Sequence, residues 1–411
     1  MITAAHPIAY LTCELKGRDF ASRLLIASYL LDAGYPVVVG QQWSLSFNLP
    51  KSPPGCYLFK SSNLVQATFM GRCKKAGHLV VVADEECLAS SRGDVARSTH
   101  PDTFTYADAF LAINDFHREA YIEAYPAAAP LISVAGNARV DILRGTQAPR
   151  PRSSDYVLIN TSFGIINSMW GSPASAAKVW IDSGGHLPGP ETGALVRDRI
   201  AFEEAALAET RDLIDWLLAN THLDIVIRPH PQELSQLWTD RDPARVSIVA
   251  GSDPMPWMRH AILTVHSEST TGVEAAIMGV RVLNLSPPQA WNSRLIVSEV
   301  NPTVATASEA AYLITALLER GTWPTAQTDP ASAFPPGGAK KTAAAILRML
   351  PPPAELPPIH WVRFERSDVQ KKKFTADIEE VHARLKCRAA VLDDSIFFLE
   401  PYQGIGVVKG R

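Results

Sequence analysis

Short apolar runs alternate along the chain with segments whose apolar positions recur every three to four residues. "IAYLTCE" (8–14) predicts a strand, "DFASRLLIASYLLDAG" (19–34) an amphipathic helix closed by Gly34, and "YPVVVGQ" (35–41) the next strand. "NLVQATFMGRCKKAG" (63–77) reads as a helix, and "HLVVVADEE" (78–86), "TYADAFLAIN" (105–114) and "APLISVAGN" (129–137) carry the alternation on. All-apolar strands separated by helices predict a parallel sheet covered on both faces. "RGTQAPRPRSSD" (144–155) interrupts the rhythm with Pro, Arg and Ser and reads as a linker. The pattern then restarts: "YVLINTSFG" (156–164), a long helix "AFEEAALAETRDLIDWLLANT" (201–221), "LDIVIRPHP" (223–231), "RVSIVAG" (245–251), "HAILTVHSES" (260–269), a helix "TTGVEAAIMG" (270–279) and "RVLNLSP" (281–287). The expected fold is α/β, two Rossmann-like doubly wound domains facing a cleft. The expected domains are 1–145 and 156–360, joined by a linker at 146–155. A helical segment, 361–411, is expected to pack back on the first domain.

Composition narrows the class. The 411 residues are 46% hydrophobic and 20% charged with a formal charge of −3, globular proportions without the basic field that draws nucleic acid. The five cysteines are scattered with no C-x-x-C pair, which argues for reduced thiols and against a disulfide framework or zinc site. The N-terminus has no signal-peptide pattern, and no apolar window reaches about 20 residues without charge. A cytoplasmic protein follows as the expectation, with peripheral contact at the inner face of the plasma membrane left open.

The unusual residues fall where strands end, which is where open parallel sheets bind ligands. Arg228, His230 and Glu233 follow one strand, and Pro229 and Pro231 fix the backbone on either side of His230. His266, Ser267, Ser269, Thr270 and Thr271 follow another and open a helix, whose N–H groups suit an anion. Gly272 is expected to let a ligand approach, and Glu274, one turn in, to reach a sugar hydroxyl. Asn160 ends a third strand. Arg228 and His230 are candidate phosphate donors; Glu233 is a candidate catalytic carboxylate or helix cap, and His266 a candidate base. In the first half, Glu14, Arg18, Asp19 and Arg23 occupy the first strand-to-helix turn, and Asp84, Glu85 and Glu86 end another strand. "DRD" (240–242) mimics a metal-binding D-x-D but lies before Pro243 and reads as a surface loop, so no metal and no cofactor is expected.

"RPHPQE" together with "HSESTTGVEAAIMG" resembles the paired motifs of bacterial surface-carbohydrate biosynthesis proteins. These are similar to the two-domain (GT-B) glycosyltransferases of capsule and lipopolysaccharide assembly, including Kdo transferases that use CMP-Kdo. "ELKGRDFASRLLIASYLLDAGYPVVVG", "DEE", "GNARVDILRG" and "INTSFG" extend the resemblance over about residues 8–295, with Ala138 where proline is common, which implies a looser hinge. The resemblance implies a nucleotide sugar in the second domain and an acceptor, a glycan or lipid-linked glycan, in the first. Arg228, His230, Ser267, Ser269, Thr270, Thr271, Glu274 and Asn160 then serve the donor. Arg18, Asp19, Arg23, Asp84, Glu85 and Glu86 face the acceptor, and Glu14, Glu233 and His266 are the catalytic candidates. The same scaffold also admits a polyol-phosphate or phosphoribosyl transferase, a nucleotide-sugar 2-epimerase, and a non-catalytic glycan- or nucleotide-binding protein.

Overall fold

The computed structural model describes residues 4–145, 147–182, 192–251, 253–288 and 296–357, and parts of 359–411. The chain forms two compact units. The first comprises Met1–Leu88, Val95–Gly145 and Phe334–Arg411, the second Ala89–Asp94 and Thr146–Ala333.

The first unit is built on β1 (Ala9–Cys13), β2 (Val37–Gln41), β3 (Cys56–Phe59), β4 (Leu79–Ala83), β5 (Ala109–Ala112) and β6 (Ile132–Val134), all parallel in the order β2-β1-β3-β4-β5-β6. Its topological switch point lies between β1 and β3. β3 is the strand the apolar pattern does not announce: "CYLF" is four residues long and closed in by "PPG" and "KSSN", yet it sits centrally in the sheet.

The helix Ala21–Asp32, expected to be amphipathic, is buried almost all round. Two further helices, Ala138–Gly145 and Gly338–Leu347, cover the side it turns away from the sheet. Gly337, before the last of these, has no side chain to cap it, and Asp141 supplies the carboxylate, accepting from Gly337 N at 2.5 Å and Ala339 N at 2.8 Å. A Cβ on Gly338 would stand 2.5 Å from the backbone of Asn137, so only glycine allows this approach. "GNARVD" is therefore the seat of the returning chain within the first unit, with Ala138 buried at a helix start.

The second unit carries β7 (Tyr156–Asn160), β8 (Asp224–Arg228), β9 (Val246–Ile248), β10 (Leu263–His266), β11 (Val282–Leu285) and β12 (Thr303–Val304), parallel in the order β12-β11-β10-β7-β8-β9. This is the doubly wound dinucleotide-fold order, with its switch point between β7 and β10. Alternate strand residues feed two cores. Val157, Ile159, Ile225, Ile227 and Val265 pack with Phe202, Leu213 and Ile214 of the long helix Thr192–Asn220. Tyr156, Leu158, Val226 and Val282 meet Met258 and Ala275 on the opposite face. Burial on both faces explains why these strands read as unbroken apolar runs.

From Phe334 the chain groups with the first unit, so the second ends at Ala333 rather than near 360; the segment expected as a linker groups with the second unit, where Arg152 pairs with Asp224 at 2.6 Å. The last segment is not wholly helical. After a short helix, Asp368–Lys373, β13 (Ile396–Phe398) and β14 (Ile405–Val408) form an antiparallel pair that extends the first sheet at β2. Among the described residues, no helix is long and apolar enough to cross a membrane.

Candidate functional site

Four neighbouring strands of the second unit carry polar residues in one register at or next to their carboxyl ends: Asn284 pairs with His266, His266 with Asn160, and Asn160 with Arg228. Strand alternation puts all four on the face shared with Leu158, Val226 and Val282, beside the helix Thr270–Ile277. The row crosses the switch point.

Asn160 stands in its middle. It is 3% exposed, and among the described residues neither its Nδ2 nor its Oδ1 has a hydrogen-bond partner. A buried amide left without a partner costs about 1–3 kcal/mol. Arg228, beside it, is partly buried. Burial pulls its pKa down, while Asp253 and Glu274 pull it up.

His266 has another task. It is buried; Ser269 N–H donates to its Nδ1 at 3.2 Å, its Nε2 lies 3.2 Å from the Asn301 amide, and burial drives its pKa down to about 3. A neutral imidazole thus fixes the turn into the helix, and the expectation of His266 as a base gives way to that structural duty. Gly272 serves the same packing. A Cβ there would lie 2.0 Å from His266 Nε2, so glycine makes room for the imidazole rather than for a ligand. Between strand and helix, Glu268 adopts φ 47, a left-handed conformation costly for a side-chain-bearing residue. Asn284 clamps it, accepting from Glu268 N at 3.0 Å and donating to Glu268 Oε1 at 2.7 Å. Ser267 is buried, and its carbonyl accepts from Ser162 Oγ. Ser269 caps the helix at Thr271 N; Thr270 is exposed, Thr271 half-buried, and Glu274 buried one turn inside.

The loop after β7 is held by two buried carboxylates. Glu203, on the long helix and paired with Arg199 at 2.8 Å, accepts from Ile165 N and Ile166 N. Glu233 accepts from Thr161 Oγ1, Phe163 N and His230 N. Glu233 therefore caps no helix: the short helix Ser235–Trp238 is preceded by Leu234 and has no side-chain cap. His230 is exposed, with Nδ1 accepting from Gln232 N at 3.3 Å.

In the first unit the expected acids and bases gather at the β1–β3 switch point. They gather around a residue the pattern does not flag, Lys60, which follows the overlooked strand β3. Lys60 is 2% exposed and lies 2.7 Å from Glu86, 2.9 Å from Glu14 and 3.7 Å from Asp19. Those carboxylates push its pKa up against burial. Asp19 turns back to accept from Glu14 N and Leu15 N. Arg23 is wholly buried, donating to Thr12 O and pairing with Glu85 at 2.6 Å. Asp84 accepts from Ser62 Oγ at 2.6 Å and Tyr121 Oη at 3.0 Å; burial raises its pKa. Arg18 is half-buried in the turn Lys16–Phe20. Asp240 and Asp242 belong to a surface turn, Asp242 accepting from Ala244 N, and among the described residues no cluster of three or more His, Cys, Asp or Glu is arranged to hold a metal.

No family model and no curated protein matches the chain. Solved structures do. UDP-GlcNAc 2-epimerase from Neisseria meningitidis, bound to UDP-GlcNAc, aligns over 83% of this chain and 99% of its own at 12% identity and TM-score 0.52. The S. aureus MnaA–UDP co-structure aligns over 85% and 99% at 12% identity and TM-score 0.51. UDP-N-acetylglucosamine 2-epimerase from Rickettsia bellii aligns over 84% and 96% at 12% identity and TM-score 0.50. At this identity the likeness establishes the fold: a two-domain α/β architecture of the GT-B kind.

Proposed function

We propose that the chain is a sugar-nucleotide enzyme whose second unit binds the nucleotide-activated sugar at the β7–β10 switch point, and that it transfers the sugar to a surface-polysaccharide intermediate. The observation that carries this reading is Asn160: a buried amide without partners among the described residues, between a cation and the start of a helix, at the place where this strand order binds ligands. Arg228, His230 and the N–H groups of the helix Thr270–Ile277 face the departing phosphate, with hydroxyls from Ser269, Thr270 and Thr271 beside them. Glu274 serves a ribose hydroxyl. Glu14, at the edge of the first unit, is the acid–base candidate that keeps some exposure. A cytidine nucleotide carrying an ulosonic acid is the donor suggested by the sequence motifs.

A second reading, nucleotide-sugar 2-epimerization, is favoured by the fold neighbours, which are UDP-GlcNAc 2-epimerases. The two readings share the nucleotide pocket and differ in product. Incubation with UDP-GlcNAc alone, followed by NMR, separates them: a new epimer without acceptor supports the second, and an unchanged nucleotide sugar counts against it. The shared part is tested by thermal shift with CMP, CDP, UDP and GDP. Stabilisation by at least one nucleotide, weakened in Arg228→Ala, is expected; no stabilisation by any of them overturns the reading.

A further inference from the structure

Residues 33–83 contain no Asp or Glu, although the whole chain carries about one acid in every ten residues. Two helices of this stretch, Gln42–Asn48 and Leu64–Lys75, lie side by side on the first unit. Gln66 Nε2 donates to Gln42 Oε1 at 2.6 Å, and Arg72 donates to Ser46 Oγ at 2.7 Å and Ser46 O at 2.9 Å. The longer helix turns Phe69, Met70 and Cys73 into the core. Its other side carries Leu64, Thr68, Arg72 and Lys75, three or four residues apart and all exposed, with Val65 beside the first of them. Phe47 stands out from the shorter helix, its ring centre 5.2 Å from that of Phe364, and the Asn48 amide holds the backbone of Val362. Among the described residues nine large apolar side chains are exposed, and four of them belong here: Phe47 at 48%, Leu64 at 44%, Val65 at 48% and Val362 at 38%. That concentration sets the face apart from the single exposed apolar residues of an ordinary surface. Its charge is also of one sign. Lys74 is neutralised by Asp108 at 2.7 Å, but Lys51, Arg72 and Lys75 are exposed, and Arg72 spends its hydrogen bonds on the neutral Ser46. Acids resume past Phe364, at Glu365 and Asp368.

We propose that this face docks on an anionic lipid bilayer. Apolar side chains interleaved with Lys and Arg suit the boundary between headgroups and acyl chains, where the apolar groups enter and the cations stay among the phosphates. A protein interface instead gathers its apolar residues into a core from which Lys is depleted. Here the two kinds alternate: Arg72 lies against Ser46, next to Phe47, on the helix that begins with Leu64 and Val65. Each Lys or Arg near an anionic surface strengthens binding about fivefold, and salt screens that attraction. Attachment of this kind needs no membrane-spanning helix. The proposal concerns the first unit alone and does not depend on whether the second binds a nucleotide. On the transfer reading, the bilayer is also where a lipid-linked acceptor would be met.

Flotation of the full-length protein tests it, with vesicles of phosphatidylcholine alone and of phosphatidylcholine and phosphatidylglycerol in equal parts. The protein should bind the anionic vesicles, bind phosphatidylcholine alone at least about tenfold more weakly, and release as salt rises from about 0.1 M to about 1 M. Lys51→Gln combined with Lys75→Gln should weaken binding about 25-fold, two charges at about fivefold each. Leu64→Ser combined with Val65→Ser should weaken it roughly tenfold. The substituted side chains are exposed, so circular dichroism and thermal unfolding should match the wild type. Tyr312→Ser with Leu318→Ser is the control: these exposed apolar residues lie on the helix Ala307–Arg320 of the second unit, and their loss should leave binding unchanged. No flotation with anionic vesicles, equal binding to phosphatidylcholine alone, or binding that the substitutions in the face leave intact overturns the proposal. A wild type that self-associates on sizing, with a Leu64→Ser/Val65→Ser variant that turns monomeric at unchanged vesicle binding, overturns it in favour of a second copy of the chain.

Discussion

The two switch points of this chain use charge in opposite ways. At β1–β3 the strand ends carry Glu14, Asp19, Lys60, Arg23, Glu85 and Glu86, and these close ion pairs with one another. At β7–β10 the corresponding row is Asn284, His266, Asn160 and Arg228, with neutral imidazole, hydroxyls and a helix start around it. The first edge is ordered by its own charges. The second is ordered by buried carboxylates set back in the loops, Glu203 and Glu233, and by Asn284 clamping Glu268, which leaves an amide at its centre unmatched. On the proposed reading, scaffolding moved out of the row of strand ends is what leaves the second edge open to a ligand.

The largest effect is expected from breaking the first edge at its hub. Lys60→Met leaves three carboxylates around a buried position without their cation and should destabilise the protein by roughly 3–5 kcal/mol in chemical denaturation. Retained stability would mean the ion cluster is solvated rather than structural. In the second edge, Arg228→Ala should instead cost nucleotide affinity, about 1.5–3 kcal/mol by calorimetry, with little change in folding. Equal losses of stability at both sites would erase the contrast.

A third comparison uses pH. The Glu233 carboxyl is raised in the folded protein, so its contribution to stability is present below the ordinary carboxylate range and lost as pH rises through about 7. Relative to Glu233→Gln, the wild type should lose on the order of 2 kcal/mol between pH 5 and pH 8. His266 works the other way. Its pKa is depressed, so its share of stability is present above the ordinary histidine value and lost as pH falls toward about 3. The smallest effect belongs to Glu14→Gln, a partly exposed member of the Lys60 cluster: less than about 1 kcal/mol of stability. If Glu14 acts on a substrate, turnover falls by about 10²-fold all the same.

Much of this was legible in the chain. Burial on both sheet faces makes apolar runs, and the runs gave both sheets and the polar ends of β7, β8 and β10. The omissions have causes. β3 is closed in by "PPG" and "KSSN", so the pattern passes over it and over Lys60 behind it. Glu203 lies within a 29-residue helix of ordinary composition, and nothing in the sequence says that its carboxylate reaches the loop after β7. Asn284 looks like any strand residue until Glu268 turns left-handed beside it. Glu233 was visible as an acid near His230, but a string of residues cannot show that its neighbours are all donors. The return of the helix Gly338–Leu347 to the first unit depends on Asp141, far away in sequence.

Asn160 is buried and, among the described residues, unmatched, and the proposed reading reserves it for a ligand. Asn160→Leu preserves size and removes both polar atoms. Measured by chemical denaturation and by calorimetry on the same preparations, with whichever of CMP, CDP, UDP and GDP stabilises the wild type most, it should raise the stability of the ligand-free protein by about 1 kcal/mol or more and abolish or sharply weaken nucleotide binding. A variant that is less stable than wild type and binds that nucleotide as well as wild type would overturn the reading.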